Sequence, residues 1–150
     1  MASRYHARMP GTKTRVPAVE GWFTTEGEPR LMATKCTACG TYFFPKRMAN
    51  CNNPSCGATE LTEVLLGRRG RVWSYTENHY APPPPFVAKE PFEPYAIAAV
   101  ELLDEKIVVM GQVVSDWRAK DLQIGMELEI VLETLYEDDE HEYLVWKWSP

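Results

Sequence analysis

Four cysteines, and only four, stand in this chain of 150 residues, as Cys36-x-x-Cys39 and Cys51-x4-Cys56 with eleven residues between the pairs. That spacing constrains the fold more than any other feature. Each close pair can sit on a short turn that points both thiolates inward, and a tetrahedral Zn²⁺ ion takes four such soft donors. The turn chemistry is present in Gly40, Asn52, Asn53, Pro54 and Gly57. Disulfides or a redox Cys-x-x-Cys are the competing readings, but two knuckles of this spacing are expected to form a zinc ribbon with Cys36, Cys39, Cys51 and Cys56 as ligands. With four protein ligands no coordination position is left open, so the expected role is structural.

Composition bears on what surrounds that site. Apolar residues make up 45% of the chain and aromatics 11%, which argues for a folded core. No run approaches the roughly 20 apolar residues that span a bilayer, and MASRYHARMP lacks the apolar stretch of a signal peptide. A cytoplasmic protein with no membrane partner is expected, in keeping with reduced thiols. The formal charge of −5 is unevenly spread. Residues 1–15 carry four basic groups and no acid, Arg30 to Arg71 carry seven against two, and Tyr95 to the C-terminus carries four against thirteen acids. The front half invites phosphates, and the back half repels a nucleic-acid backbone.

The expected organisation is a basic arm and short helix at 1–29, the zinc ribbon at 30–66 and an OB-fold at 67–150. Val19, Trp22 and Phe23 recur at helical spacing after Pro17, predicting a short amphipathic helix closed by Gly27 and Pro29. Leu31–Lys35, Thr41–Pro45 and Glu60–Leu66 read as ribbon strands. From Gly67 the texture turns to β. Strands are predicted over Arg71–Tyr80, Tyr95–Leu103, Lys106–Val114, Met126–Leu132 and Tyr143–Trp148, with a helical turn between Asp116 and Gly125. In the first of them Val72, Ser74, Thr76 and Asn78 are expected to share one face and Trp73, Tyr75, Glu77 and His79 the other. Five strands with a helical piece between the third and fourth is the order of an OB barrel. The fold class is therefore mainly β: an N-terminal helix, a rubredoxin-like zinc ribbon, then a five-stranded OB-fold barrel. The last strand is apolar on both sides, with Trp146 and Trp148 on one of them, and so has to be covered twice. Four consecutive prolines stiffen the loop 81–94, whose Phe86 and Phe92 make it a candidate contact surface or a flap folded on its own barrel.

Taken in order, Trp22-Phe23, Cys36-Thr37-Ala38-Cys39-Gly40, Phe44-Pro45, Cys51 to Gly57, Gly70 to Thr76, Pro94 to Leu102 and Ile124 to Leu128 resemble the zinc-ribbon OB-fold family known as domain of unknown function thirty-five, an acyl-CoA-associated family. The resemblance spans about residues 18–136. It implies a zinc-containing accessory subunit of a thiolase-like enzyme, either a thiolase or a retro-aldol lyase, in which the partner supplies the catalytic residues. The small subunit then stabilises the hetero-oligomer and helps shape the CoA or acyl-CoA passage.

The residues read by themselves agree that the chain is not catalytic alone. His6, His79 and His141 lie in an arm, a strand and an acidic hairpin, with no nucleophile beside them. Gly67-Arg68-Arg69-Gly70 is too short for a phosphate loop. Lys46, Arg47, Arg68, Arg69 and Arg71 are the expected attraction for CoA phosphates, with Trp73, Tyr75 and Phe86 flanking pantetheine or the acyl chain. Trp22, Phe23, Tyr42, Phe43, Phe92, Trp146 and Trp148 are the candidate partner interface. A nucleic-acid-binding module is the alternative, since zinc ribbons and OB-folds recur there, and the acidic barrel argues against it.

Overall fold

A computed structural model describes residues 12–84 and 86–150. Nine strands form two sheets: β1 (Thr14–Pro17), β2 (Met32–Cys36), β3 (Tyr42–Phe43), β4 (Leu61–Leu65), β5 (Arg69–Asn78), β6 (Tyr95–Leu102), β7 (Val108–Gln112), β8 (Glu127–Glu137) and β9 (His141–Ser149). The order β3-β2-β4 makes the ribbon sheet, and β1-β9-β8-β5-β6-β7 makes the barrel sheet. A parallel bridge between Val113, the residue just past β7, and Trp148 of β9 closes the barrel.

The expected N-terminal helix is not there. Among the described residues the only helical element is a 3-10 turn at Ala119–Asp121. Thr14–Pro17 instead runs parallel to β9, with Val16 opposite Tyr143, and the Ala18 N–H continues onto the Leu144 carbonyl. Two constraints defeat the helical reading. Gly21 adopts a positive φ of 77°, which no helix accommodates. The Met32 N–H then binds the Trp22 carbonyl and Phe23 bridges Leu31, so this segment is paired as extended chain. The three apolar residues consequently do not share a face, since Val19 is 47% exposed and Phe23 only 4%. The expected basic arm, 1–16, lies outside the described residues up to position 11, and its last three residues belong to β1.

The five barrel strands fall where alternation predicts them, with β8 extending beyond Leu132 to Glu137. One detail of phase changes. The register of β5 on β6 slips between Val72 and Ser74, so Val72 faces the core opposite Val100 while Ser74 and Thr76 oppose the outward Ala99 and Ile97. A bulge at Trp73 turns the face over, which uniform alternation does not anticipate.

One core serves both sheets. Phe23, Leu31, Ala33 and Leu66 from the ribbon side join Val100, Ile130, Leu144 and Trp148 of the barrel in a single buried cluster. Trp22, Phe44 and Trp146 connect them edge to face, at 5.7 Å and 6.2 Å between ring centroids. Burying these side chains supplies on the order of 25 cal/mol per Å² of apolar surface. Gly111 lies flat under the Trp146 ring, where a Cβ would overlap it. Because Trp146 is wedged between Phe44 and Trp148, it has no room to yield. Gly111→Ala is expected to cost about 1–3 kcal/mol, read as a lower urea midpoint at unchanged m-value.

A second test concerns Glu133. Burial raises its pKa, but hydrogen bonds from Lys147 and Ser115 and the ammonium charge outweigh that and hold the carboxyl below its ordinary value. A depressed folded pKa contributes stability at pH above the unfolded value of about 4.3, and that contribution is lost as pH falls through the folded pKa. The stability gap between the wild type and Glu133→Gln is therefore expected to be full at neutral pH and to shrink below about pH 4 in urea titrations.

Candidate metal centre and surrounding surfaces

The two knuckles are built by hydrogen bonds that the turn residues make possible. Cys36 ends β2, its N–H bound to the Thr41 carbonyl, and the Gly40 N–H returns to the Cys36 carbonyl at 3.0 Å. Gly40 takes a φ of 77°, which reverses the chain so that Cys39 comes back beside Cys36. In the second knuckle the Asn53 side chain accepts from the Ser55 N–H at 3.0 Å. The Cys56 N–H binds the Asn53 carbonyl, and the Cys51 N–H binds the Ala58 carbonyl.

These turns bring all four Sγ atoms within 4.8 Å of one another. Cys36 and Cys56 are 3.9 Å apart and Cys39 and Cys51 3.6 Å. A tetrahedron with Zn–S bonds of about 2.3 Å has edges of roughly 3.8 Å, so the donor set fits zinc. The separations are far beyond an S–S bond of about 2.0 Å, and the disulfide reading falls. Around the sulfurs, the Asn53 N–H donates to Cys51 at 3.4 Å and Thr41 Oγ1 lies 3.1 Å from Cys39. Such outer contacts orient ligands and stabilise thiolates.

The thiols differ in acidity. Hydrogen bonding from the Thr41 side chain and backbone lowers Cys39 to about 6. At Cys51 the Asn53 N–H favours the thiolate, yet desolvation and its hydrogen bonds to the other cysteine sulfurs push the pKa up to about 12. A divalent cation offsets the crowded negative charge of four thiolates, as a structural zinc does. Cys36, Cys39, Cys51 and Cys56 would hold it. The role there is to close the ribbon.

The basic residues are largely engaged within the chain. Lys46 pairs with Glu63 at 2.7 Å, and Arg47 binds the Asn50 carbonyl and lies over the Phe43 ring. Arg68 reaches Glu28 at 3.1 Å and also binds the Pro29 and Ile130 carbonyls. Arg69 pairs with Glu127 and Glu129. Arg71 is exposed with no ion pair among the described residues. Glu28 and Glu63 of the front half and Glu127 and Glu129 of β8 thus neutralise much of the patch.

Trp73 is 64% exposed, and Tyr75 is also exposed. Phe86 does not join them. It stacks on Tyr95 at 5.8 Å, at the end of the β5–β6 pair where Asn78 meets Tyr95, opposite the end where Arg71 meets Glu101. Of the seven candidate interface aromatics, Phe23, Trp146 and Trp148 are buried in the chain's own core. Tyr42, Phe43 and Phe92 are half-buried and Trp22 is exposed. Phe92 packs edge-on against Tyr95, so the proline-rich loop folds back on its own barrel. A polar cluster that the sequence reading missed lies beneath this loop: Ser115, Glu133 and Lys147. Its signal was Lys147 itself, a cation between two tryptophans in a strand covered on both sides.

Among the described residues no helix is long and apolar enough to cross a membrane. Two family models match the chain: the rubredoxin-like zinc ribbon domain of ChsH2 over residues 26–62 and the C-terminal OB-fold domain of ChsH2 over residues 63–133. A DUF35 domain-containing scaffold protein of Methanocaldococcus jannaschii is 36% identical over 124 residues, covering 80% of this chain and 79% of the relative. Benzoylsuccinyl-CoA thiolase subunit BbsA of Thauera aromatica is 40% identical over 50 residues, a third of each chain. Among solved structures, a chain of the Ltp2-ChsH2(DUF35) aldolase superposes with a TM-score of 0.60 at 26% identity, covering 81% of this chain and 84% of that one.

A structural zinc contributes about 10–16 kcal/mol in small sites, comparable to the whole stability of an ordinary domain. Purified without chelator, the chain is expected to carry one zinc by elemental analysis. Cys36→Ser is expected to lose it and to unfold the ribbon, seen as collapse of amide dispersion for residues 31–66. Full retention of both would overturn the metal assignment.

Proposed function

The chain belongs to the DUF35 family, and on that footing we propose that it is a zinc-containing accessory subunit of a thiolase-like acyl-CoA enzyme, a thiolase or a retro-aldol lyase. The observation that carries the reading is the likeness, across four fifths of the chain, to the DUF35 component of an aldolase complex. The match to a thiolase subunit points to the same class of partner.

The chemistry of this chain supports a supporting role. All four cysteines converge on one metal centre, which leaves no thiol as a nucleophile. His79 is an exposed side chain whose Nε2 lies 3.1 Å from Glu77, and Glu77 is itself committed to Arg118 at 2.6 Å. The partner subunit then supplies the catalytic groups, while this chain stabilises the hetero-oligomer and helps shape the CoA or acyl-CoA passage. Arg71, with Arg69 beside it, is the part of the basic patch that best suits a CoA phosphate. Trp73 and Tyr75 suit the pantetheine arm or a partner surface, because both are exposed aromatics.

Co-expression with a thiolase-like or aldolase-like partner tests the proposal. The two chains are expected to co-elute on size exclusion, with thiolysis or retro-aldol cleavage requiring both. Arg71→Glu is expected to raise KM for the CoA ester with little effect on assembly. A chain that stays monodisperse and leaves the partner's activity unchanged would sink the reading. Tight, salt-sensitive binding of single-stranded DNA would favour a nucleic-acid module instead.

A further inference from the structure

Beneath the proline-rich loop lies a cavity of about 100 Å³, on the scale of cavities that take a single ring, walled by Phe86, Phe92, Tyr95 and Leu135 and lined also by Gln112, Ser115 and Lys147. Its floor is polar. Lys147 is only 8% exposed and reaches Glu133 at 2.6 Å and Ser115 Oγ at 3.0 Å. Ser115 in turn donates both its hydroxyl, at 2.9 Å, and its backbone N–H, at 3.2 Å, to the same carboxylate. A buried ion pair is a weak device for stability alone, because apolar side chains of the same volume do as well.

The hydrogen-bond inventory says what such a floor can accept. An ammonium has three N–H bonds, and Glu133 and Ser115 take two of them. No hydrogen bond among the described residues engages the Gln112 carboxamide, so its NH₂ is a second donor at the same wall. The charges are balanced. Lys147 is neutralised by Glu133, and at the wall Lys89 is neutralised by Glu93 at 2.9 Å. A ligand carboxylate would stand against Glu133, and a ligand ammonium against Lys147. What suits both the aromatic walls and the spare donors is an uncharged carbonyl oxygen on an apolar body.

We propose that this cavity is a binding site for neutral carbonyl compounds with a ring-sized or short-chain apolar body, gripped by the Lys147 ammonium and the Gln112 amide under the proline-rich loop. The inference concerns this chain alone and does not depend on the partner subunit.

Titration of the zinc-loaded full chain with benzamide, benzoate and benzylamine, followed by amide chemical shifts, tests it. Benzamide is expected to give saturable shifts around Gln112, Ser115 and Leu135 with a Kd of about 1 mM, and the two charged analogues are expected to bind roughly tenfold more weakly or not at all. Gln112→Leu is expected to weaken benzamide about threefold to tenfold, the loss of one hydrogen bond. Leu135→Trp should fill the cavity and abolish binding while amide dispersion and zinc content stay intact. If Leu135→Trp fails to fold, Ala88→Trp fills the same space from the loop. Equal binding of benzoate, binding untouched by the filling variant that folds, or no saturable shift with benzamide would each overturn the proposal.

Discussion

Four sulfur atoms drawn within 4.8 Å are the constraint on which the front half of this structure rests. The ribbon sheet has strands of five, two and five residues, too little surface to bury a core of its own. Bringing four thiolates together without a cation is unfavourable by Coulomb repulsion, and desolvation with hydrogen bonds to the other cysteine sulfurs pushes Cys51 up to about 12 even though the Asn53 N–H favours its thiolate. With zinc the same crowding becomes the closure of two knuckles, and the ribbon gains a fixed shape that its side chains alone would not impose.

That shape is passed to the barrel through aromatic contacts. Phe44 stands between Trp22 and Trp146, and Trp146 meets Trp148 edge-on at 5.8 Å. These rings form a continuous path from the segment beside the metal site to the closing strand. Since Leu31 and Leu66 share the buried cluster with Leu144 and Trp148, the two sheets form one packed body. The aromatic residues that look like an exposed interface in the sequence are in part this seam.

Charge follows a similar logic. The basic segment before Arg71 and the acidic barrel look like separate surfaces when counted along the chain, but folding lays one against the other. Arg68 and Arg69 meet Glu127 and Glu129 of β8, while Arg68 also pairs with Glu28 and Lys46 with Glu63 inside the front half itself. Exposed pairs of this kind add little stability. Their effect is to reduce the positive field that a phosphate or a nucleic acid would sense, and Arg71 is left exposed with no ion pair among the described residues.

The sequence by itself determined the metal centre, the five barrel strands and their order, because ligand spacing and two-residue alternation are local properties that a folded chain has to honour. It also showed that β9 is covered on both faces, from Leu144, Trp146 and Trp148 set against Tyr143 and Val145. Only the tertiary structure decided what covers that strand. Phe44 and Gly111 pack on Trp146 and Glu133 and Ser115 meet Lys147, while β1, from the end of the expected arm, pairs along its edge. The segment after β1 stays extended because the positive φ of Gly21 and its backbone pairing outweigh a three-residue apolar pattern. The bulge at Trp73 was likewise invisible along the chain, and Lys147 between two tryptophans signalled a polar contact without identifying Ser115 and Glu133 as its partners. Each depends on residues far apart in sequence meeting at one register, and no local pattern encodes a contact between strands that have yet to find each other.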